Sequence, residues 1–279
     1  MTNMNLNKVS CVMTTYRRFH CVERSIAMFL GQDYFNNELI VYNTDVDFPV
    51  SLDSTFNDVK DKIKIINNNI DFETKKPYTN VGSIRRDAMT FASGDGYITW
   101  DDDDIFFPWN IRQCLDGILR TKKFSWKPTH SFIKQRGTEP KLFYNNLEAS
   151  ILTYMSKIYE YGFNLQKTGA EHLGWLDKMI VNNEIAIDDY AVPGYCFYWS
   201  DPEDIGGHKQ SNGNEFARPD NFERHKLYTT DFAKRPFTKT SLKDHREIFS
   251  DFIPKLQEYE KTNKELYDLY IAPNIENLL

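Results

Sequence analysis

The sequence predicts an α/β fold, a mostly parallel central sheet with helices on both faces, followed by a C-terminal helical appendage. Short apolar, β-prone runs alternate with segments of helical periodicity through the first third of the 279 residues, which is the pattern of βαβ units. The runs are apolar almost without interruption, as parallel strands covered on both faces must be. A last stretch from about 244 to 271 repeats Phe249, Phe252, Ile253, Leu256, Tyr259, Leu266 and Leu269 at helical spacing.

Taken in order, VSCVMTT (Val9 to Thr15) is a buried strand that ends in a Thr-Thr-Tyr-Arg-Arg turn. A helix follows from His20 to Leu30, with Val22, Ile26, Phe29 and Leu30 on one face and Gly31 as its stop. ELIVY (Glu38 to Tyr42) runs into the polar turn Asn43-Thr44-Asp45, and KIKII (Lys62 to Ile66) is a third strand. Gly82 to Phe91 is helical, and Tyr97 to Trp100 is a fourth strand. From Phe124 to Trp199 the pattern mixes short strands with a helix from about Glu171 to Val181. Pro254 divides the helical tail into two segments. Internal repeats and low-complexity linkers are absent.

The run Asp101-Asp102-Asp103-Asp104 stands between GYITW and IFFPWNI, two apolar flanks. It therefore reads as a strand end that projects carboxylates into a cleft. Two carboxylates ~5 Å apart repel by roughly 3 kcal/mol at an effective dielectric of ~20. A folded site must protonate one, splay them or bind a cation. Hard divalent ions such as Mg²⁺ or Mn²⁺ take oxygen ligands and complete their shell with substrate phosphates. Three strand ends carry polar residues, Thr14 to Arg18, Asn43 to Asp45 and Asp101 to Asp104. Open α/β sheets bind ligands beyond the carboxyl ends of their strands, so this convergence points to a nucleotide-type site.

Bulk properties narrow the class. Hydrophobic residues make up 41% and charged residues 27% of the chain, the composition of a globular protein. No apolar run is long enough to span a membrane, and the opening MTNMNLNKVS lacks the basic-then-apolar pattern of a signal peptide. Cys11, Cys21, Cys114 and Cys196 have neither metal nor disulfide-framework spacing, and a reducing, cytoplasmic setting is expected. The net charge of −6 hides a basic stretch from Arg120 to Lys141, where seven bases face the single acid Glu139. Such a local patch on an acidic protein still attracts polyanions.

The order of motifs resembles the family 2 glycosyltransferases of the GT-A fold, a Rossmann-like architecture, from Val9 to about Ser211. VSCVMTTYRR is similar to the family's opening strand and turn, SIAMFLGQDY to its helix exit, and ELIVYNTDVD to its acidic turn. NVGSIRRDAMTFASGDGYITWDDDDIFFP follows the family's glycine, Arg-Asn, Ala-x-Gly-Asp-Tyr-Ile, Asp-x-Asp-Asp and Pro sequence. EASILTYMSKIYEYGF resembles the segment before the acceptor helix, and GAEHLGWLDKMI resembles the Glu-Asp motif. Asn43 departs from the family, which has an acid there, as do Asp87, which replaces an asparagine, and His172, which replaces the second acid of the Glu-Asp pair. The resemblance implies a domain over 1–220, with a nucleotide-sugar half (1–110) and an acceptor half (111–220), and an extension over 221–279.

It also implies roles. A Mn²⁺ or Mg²⁺ ion would neutralise the leaving diphosphate, with Asp103 as its direct ligand and Asp101 toward the ribose or a ligand water. Asp102 and Asp104 support them. His208, in GGHKQS (Gly206 to Ser211), is a further candidate ligand, and the two glycines before it let backbone approach the diphosphate. Glu171 is the candidate general base, with Asp188-Asp189 as the alternative pair, and His172 is placed to contact the acceptor. Thr15, Tyr16, Arg17, Asn43 and Asp45 should line the nucleoside pocket, with Tyr16 as a stacking face and Asn43 toward a pyrimidine edge. Arg86, on a helix that points at the acids, is a candidate phosphate contact. Trp100 and Trp109 read as core residues.

The implied reaction is a metal-dependent, inverting transfer from a nucleotide sugar, with a UDP-sugar foremost, to an acceptor hydroxyl. Lys122, Lys123 and Lys127, interleaved with Phe124, Trp126, His130 and Phe132, suit a phosphate-bearing polymer. A DNA carrying modified bases, as glycosylated by phage-type enzymes in the host cytoplasm, is one such acceptor. Lipid-, protein- or polysaccharide-linked glycans are the alternative. A fold that only binds glycans or a partner is the non-enzymatic alternative. A phosphoryl transferase of the Gly-x-x-x-x-Gly-Lys-Ser/Thr kind is excluded because that loop is missing.

Overall fold

A computed structural model describes residues 6–135, 137–144, 148–165, 171–199, 236–239 and 247–278. The four strands expected in the first third form as β1 (Val9–Thr15), β2 (Asn37–Asn43), β3 (Ile63–Asn67) and β4 (Gly96–Thr99). β6 (Ser125–Pro128), β9 (Leu152–Tyr154) and β10 (Ile185–Asp188) join them in a seven-stranded sheet of order β10-β6-β9-β4-β1-β2-β3. All run parallel except β9, which is antiparallel to both its neighbours. Both proposed halves of the first domain thus contribute to one sheet. A second sheet of order β5-β11-β7-β8 is built from β5 (Ile105–Phe106), β7 (His130–Gln135), β8 (Lys141–Tyr144) and β11 (Tyr195–Trp199).

Alternation along the strands sorts the core into two layers. Val9, Cys11 and Met13 of β1 face one layer, which also holds Val22, Ile26 and Phe29 of α1 (Phe19–Leu30) and Ile111, Leu115 and Ile118 of α3 (Asn110–Thr121). Val12 faces the other, with Ile84 and Ala88 of α2 (Val81–Met89), Ile158 of α4 (Met155–Tyr161) and Trp175, Leu176 and Met179 of α5 (Leu173–Val181). α2 starts where Asn80 Oδ1 accepts the Ser83 amide at 2.8 Å, an N-cap bond of the usual kind.

The tail is helical, as its periodicity predicts, through α6 (Glu247–Ser250), α7 (Ile253–Thr262), α8 (Lys264–Leu266), a π turn (Tyr267–Ile271) and α9 (Ala272–Leu278). Pro254 sits in the first turn of α7, where a missing N–H costs nothing. The tail shares the main core. Phe107 packs against Phe249 and Phe252, with ring centroids 5.5 and 5.2 Å apart. Arg112 stacks on Tyr270 at 4.8 Å and donates to the Leu269 carbonyl. Among the described residues no helix is long and apolar enough to cross a membrane.

One buried ion cluster pins the start of the sheet. Glu38 of β2 is fully buried and accepts hydrogen bonds from Lys8 Nζ at 2.9 Å, Ser10 Oγ at 2.7 Å and Ser93 Oγ. Burial pushes its carboxyl up, but those hydrogen bonds outweigh burial and hold it at about 2. A carboxylate depressed in the folded state stabilises in full above its unfolded value near ~4.3 and loses that contribution as pH falls through the folded value. Wild-type protein should therefore lose about 3 kcal/mol between roughly pH 5 and 2 through this group. Glu38→Gln should be less stable at neutral pH and lack this part of the acid dependence. Denaturant midpoints measured across that range test the expectation, and parallel curves for the two proteins would refute it.

Candidate active site

The carboxyl ends of β1, β2 and β4 lie side by side, and Thr15 is level with Asn43 across the β1–β2 pair. Trp100 donates its amide to the Val12 carbonyl at 3.0 Å, so the acids that follow arrive beside Thr14 and Thr15. Thr15 Oγ1 donates to Asp102 Oδ2 at 2.6 Å. Arg18, which leads into α1, reaches Asp102 Oδ1 at 2.7 Å and Asp103 Oδ2 at 2.6 Å. Arg24, six residues further on in α1, donates to the Asp103 carbonyl at 2.5 Å. Asp104 turns into the second sheet, where the Tyr195 hydroxyl and the Tyr198 amide of β11 donate to it. Arg85 of α2 holds Asp101 at 2.8 Å.

The four acids are thus splayed, Asp101 toward Arg85, Asp104 toward β11, and Asp102 and Asp103 toward a shared Arg18. Asp102 and Asp104 are fully buried. Burial pushes both carboxyls up, and the neighbouring Asp103 and Asp101 charges add to it; Arg18 and Thr15 oppose this at Asp102, and Tyr195 and the Tyr198 amide at Asp104. Asp101, with a side chain 28% exposed, is the most accessible of the four paired carboxylates.

Glu171 lies in the turn before α5, and His172 occupies the N-cap position without a side-chain cap bond. Its carboxylate is buried, with Oε1 3.0 Å from Arg85 Nη1. Its other oxygen, Oε2, is buried with no hydrogen-bond partner among the described residues. The Glu171 backbone is fixed by the Asn164 amide, which donates to its carbonyl at 2.7 Å. Gly174 makes that contact possible, because a Cβ there would meet Asn164 N and Gly162 O at 2.5 Å. Backbone cannot yield as a flexible side chain does. Gly174→Ala should therefore cost ~1–3 kcal/mol and shift Glu171 off its position, lowering turnover without changing nucleotide affinity. Thermal melts with parallel binding and rate measurements test this, and a variant that melts and turns over like wild type would refute it.

On the nucleoside side, Arg17 adopts a left-handed backbone (φ 57). Its guanidinium lies over the Tyr16 ring at 5.0 Å and the Phe48 ring at 5.5 Å, and Nε pairs with Asp45 Oδ2. A non-glycine residue held at positive φ marks a site over-determined by its surroundings. Asn43 is engaged by its own turn and by β3. Its amide nitrogen donates to the Asp45 and Phe48 carbonyls and to Asn67 Oδ1, and its oxygen accepts the Asp45 amide. That amide nitrogen and oxygen hold the β2 turn in shape, which accounts for an amide where an acid was expected.

Arg86 also departs from expectation. It pairs with Asp71 at 3.0 Å, Glu73 at 2.5 Å and Asp87 at 2.8 Å, away from the acidic run. Asp87 in turn accepts the Phe72 amide and the Tyr78 hydroxyl, so the Arg86–Asp87 pair knits α2 to the loop before it. One residue earlier on the helix, Arg85 faces the acids in its place.

The basic stretch does not form a continuous basic–aromatic face among the described residues. Lys127 lies buried in β6, where burial pulls its ammonium down to about 8. Lys123 donates to the Asn183 carbonyl at 2.7 Å, and Trp126 and Phe132 are core residues. Arg120 pairs with Asp188 at 2.6 Å. Lys122 is exposed at the left-handed C-cap of α3. All four residues of β6 are buried, Trp126 and Lys127 among them, and Phe132 is buried in β7. The Asp188 alternative for the base is tied to Arg120 and Trp126 Nε1 at the sheet edge. His208 lies outside the described residues.

The donor set fits a hard divalent cation in charge and chemistry. Among the described residues no three acidic, histidine or cysteine side chains converge on one point. Four carboxylates, Asp101, Asp102, Asp103 and Glu171, nevertheless pair with two guanidiniums, Arg18 and Arg85. When all are ionised, negative charge exceeds positive by two. Mg²⁺ or Mn²⁺ is commonly held by one or two carboxylates plus substrate phosphates, a shell that Asp103 and Asp101 can begin.

The fold has counterparts among solved structures. Residues 1–349 of S. aureus TarS in complex with UDP-GlcNAc superimpose with a TM-score of 0.51 at 16% identity, over 92% of this chain and 74% of that one. The same protein in complex with UDP gives 0.51 at 15% identity, over 92% and 73%. The chain has a GT-A fold. No family model and no curated sequence matches it. Within the GT-A fold, sequence reasoning missed Arg18, Arg24 and Arg85 as partners of the acids. Their signal was present: Arg18 at the N-cap of α1, Arg24 within α1 and Arg85 on α2, the helices that follow strands ending in the site.

Proposed function

We propose that the chain transfers a sugar from a nucleotide-sugar donor, a UDP-sugar foremost, to an acceptor hydroxyl. The observation that carries this reading is the meeting of the β4 acids with Glu171 at the carboxyl edge of the sheet, joined by one guanidinium. The fold shared with a UDP-GlcNAc complex of TarS supports the choice of donor.

The residues suggest a division of labour. Tyr16, Arg17 and Asp45 border the nucleoside. Asp103 and Asp101 would hold a Mn²⁺ or Mg²⁺ ion, which when bound supplies charge stabilisation for the leaving diphosphate. Arg18 keeps Asp102 and Asp103 in place. Glu171 accepts on Oε2 the proton of the acceptor hydroxyl as the hydroxyl oxygen forms its bond to the anomeric carbon. The bond from that carbon to the diphosphate oxygen breaks, and its electron pair leaves with the nucleotide. One base and direct attack give inversion. With the basic stretch folded into the two sheets, a glycan takes precedence over DNA as acceptor.

Hydrolysis of UDP-sugars and transfer to a glycan panel, each with added Mn²⁺, test the proposal. Turnover of a nucleotide sugar with an inverted product by NMR is the expected result. Failure to bind any nucleotide sugar would overturn it.

A further inference from the structure

Arg85 is the link between the two ends of the proposed site. Its guanidinium is buried, with a side chain 6% exposed, and it places Nη2 2.8 Å from Asp101 Oδ1 and Nη1 3.0 Å from Glu171 Oε1. A guanidinium is planar, and its donors leave at fixed angles. One buried cation that hydrogen-bonds Asp101 and lies at ion-pair distance from Glu171 ties the two carboxylates to each other and to α2. The helix that carries Arg85 is itself anchored at its start. Asn80 caps it, and Gly82 packs so closely on the Asn164 carbonyl that a Cβ would approach it to 2.8 Å. Asn164 also donates to the Glu171 backbone. α2, the 162–164 segment and the turn before α5 thus form one block.

The two oxygens of Glu171 differ. Oε1 faces Arg85, while Oε2 is buried with no hydrogen-bond partner among the described residues. A buried acceptor left unsatisfied costs roughly 1–3 kcal/mol, and more when charged. An arriving hydroxyl would relieve that cost.

We infer that Arg85 is a positioning residue for the transfer reaction: by holding Oε1 it presents Oε2 to the acceptor hydroxyl, and by holding Asp101 it sets the base at a fixed place relative to the donor. This inference rests on the reading of Glu171 as the base. Arg85 acts through Glu171 and does not touch the reacting atoms. Lysine at this position has one point charge and cannot span both carboxylates in a fixed plane.

The test uses the full chain with Arg85→Gln, Arg85→Lys, Glu171→Gln and the double variant Arg85→Gln/Glu171→Gln. Transfer is measured at saturating donor, and UDP binding by calorimetry. Arg85→Gln should lower kcat by on the order of 10²-fold, within the range of general-base effects, while UDP affinity changes less than about threefold. Arg85→Lys should fall between wild type and Arg85→Gln. Residues that act as a unit are non-additive, so adding Arg85→Gln to Glu171→Gln should cost less than about threefold more. Losses that multiply in the double variant would show a merely structural role and overturn the inference. A raised UDP Kd with kcat intact would make Arg85 a diphosphate contact and overturn it too. If Arg85→Gln does not fold, Arg85→Lys carries the same comparison on both backgrounds. Undiminished turnover in Glu171→Gln would overturn the base reading and this inference together. Loss in Glu171→Gln with full kcat in Arg85→Gln would overturn the inference alone.

Discussion

Glu171→Gln should lower transfer by ~10²–10⁴-fold while nucleotide-sugar binding stays close to wild type. The amide keeps the volume of the carboxylate and can still face Arg85, which lies 3.0 Å from Oε1. What it loses is the capacity to take a proton at Oε2. The buried Arg85 retains Asp101 as a counter-charge, so the fold should survive the change. Calorimetric affinity near wild type together with a turnover loss of that size is the expected pair of results. Full turnover would remove Glu171 from the chemistry. Asp188 is a poor substitute in that event, because Arg120 and Trp126 already hold it at the sheet edge.

Asp103→Asn should reduce turnover on the order of 10²–10³-fold, the usual effect of removing one group that stabilises charge in the transition state. Activity should also need more Mn²⁺ or Mg²⁺ to reach half its maximum. Asparagine preserves shape at the end of β4, and Arg18 still has Asp102 at 2.7 Å, so the loss reports charge and not collapse. Rates across a metal titration test it. An Asp103→Asn protein that turns over normally in chelator would exclude the cation from the mechanism.

The sheet was legible because its strands are buried on both faces. VSCVMTT occupies the same residues as β1, and ELIVY differs from β2 by one residue at each end. The flank of apolar residues around Asp101 to Asp104 likewise announced a buried strand end, which the structure bears out. Individual side-chain directions were less legible. Arg85 and Arg86 are adjacent in sequence, yet ~100° apart on a helix, and motif order alone cannot say which of them faces the acids. Charge density along the chain reads Lys127 and Trp126 as an accessible basic–aromatic pair, but β6 lies inside its sheet and all four of its residues are buried. Asn43 reads as a base contact by position, whereas its short amide satisfies the backbone of its own turn.

The joining of the tail to Phe107 has a consequence for the order in which this protein matures. Phe107 follows the acidic run by three residues, and its ring is packed by Phe249 and Phe252. During synthesis the acids emerge early, but the aromatic wall behind them stays incomplete until α6 and α7 have left the ribosome. The nascent chain should therefore hold an unfinished, negatively charged pocket over more than a hundred residues of elongation, reachable by chaperones and proteases. Released chains truncated before residue 247 should be cleaved near Phe107, and the released full-length chain should resist. Protection already complete in the shorter chains would show that the wall does not depend on the tail.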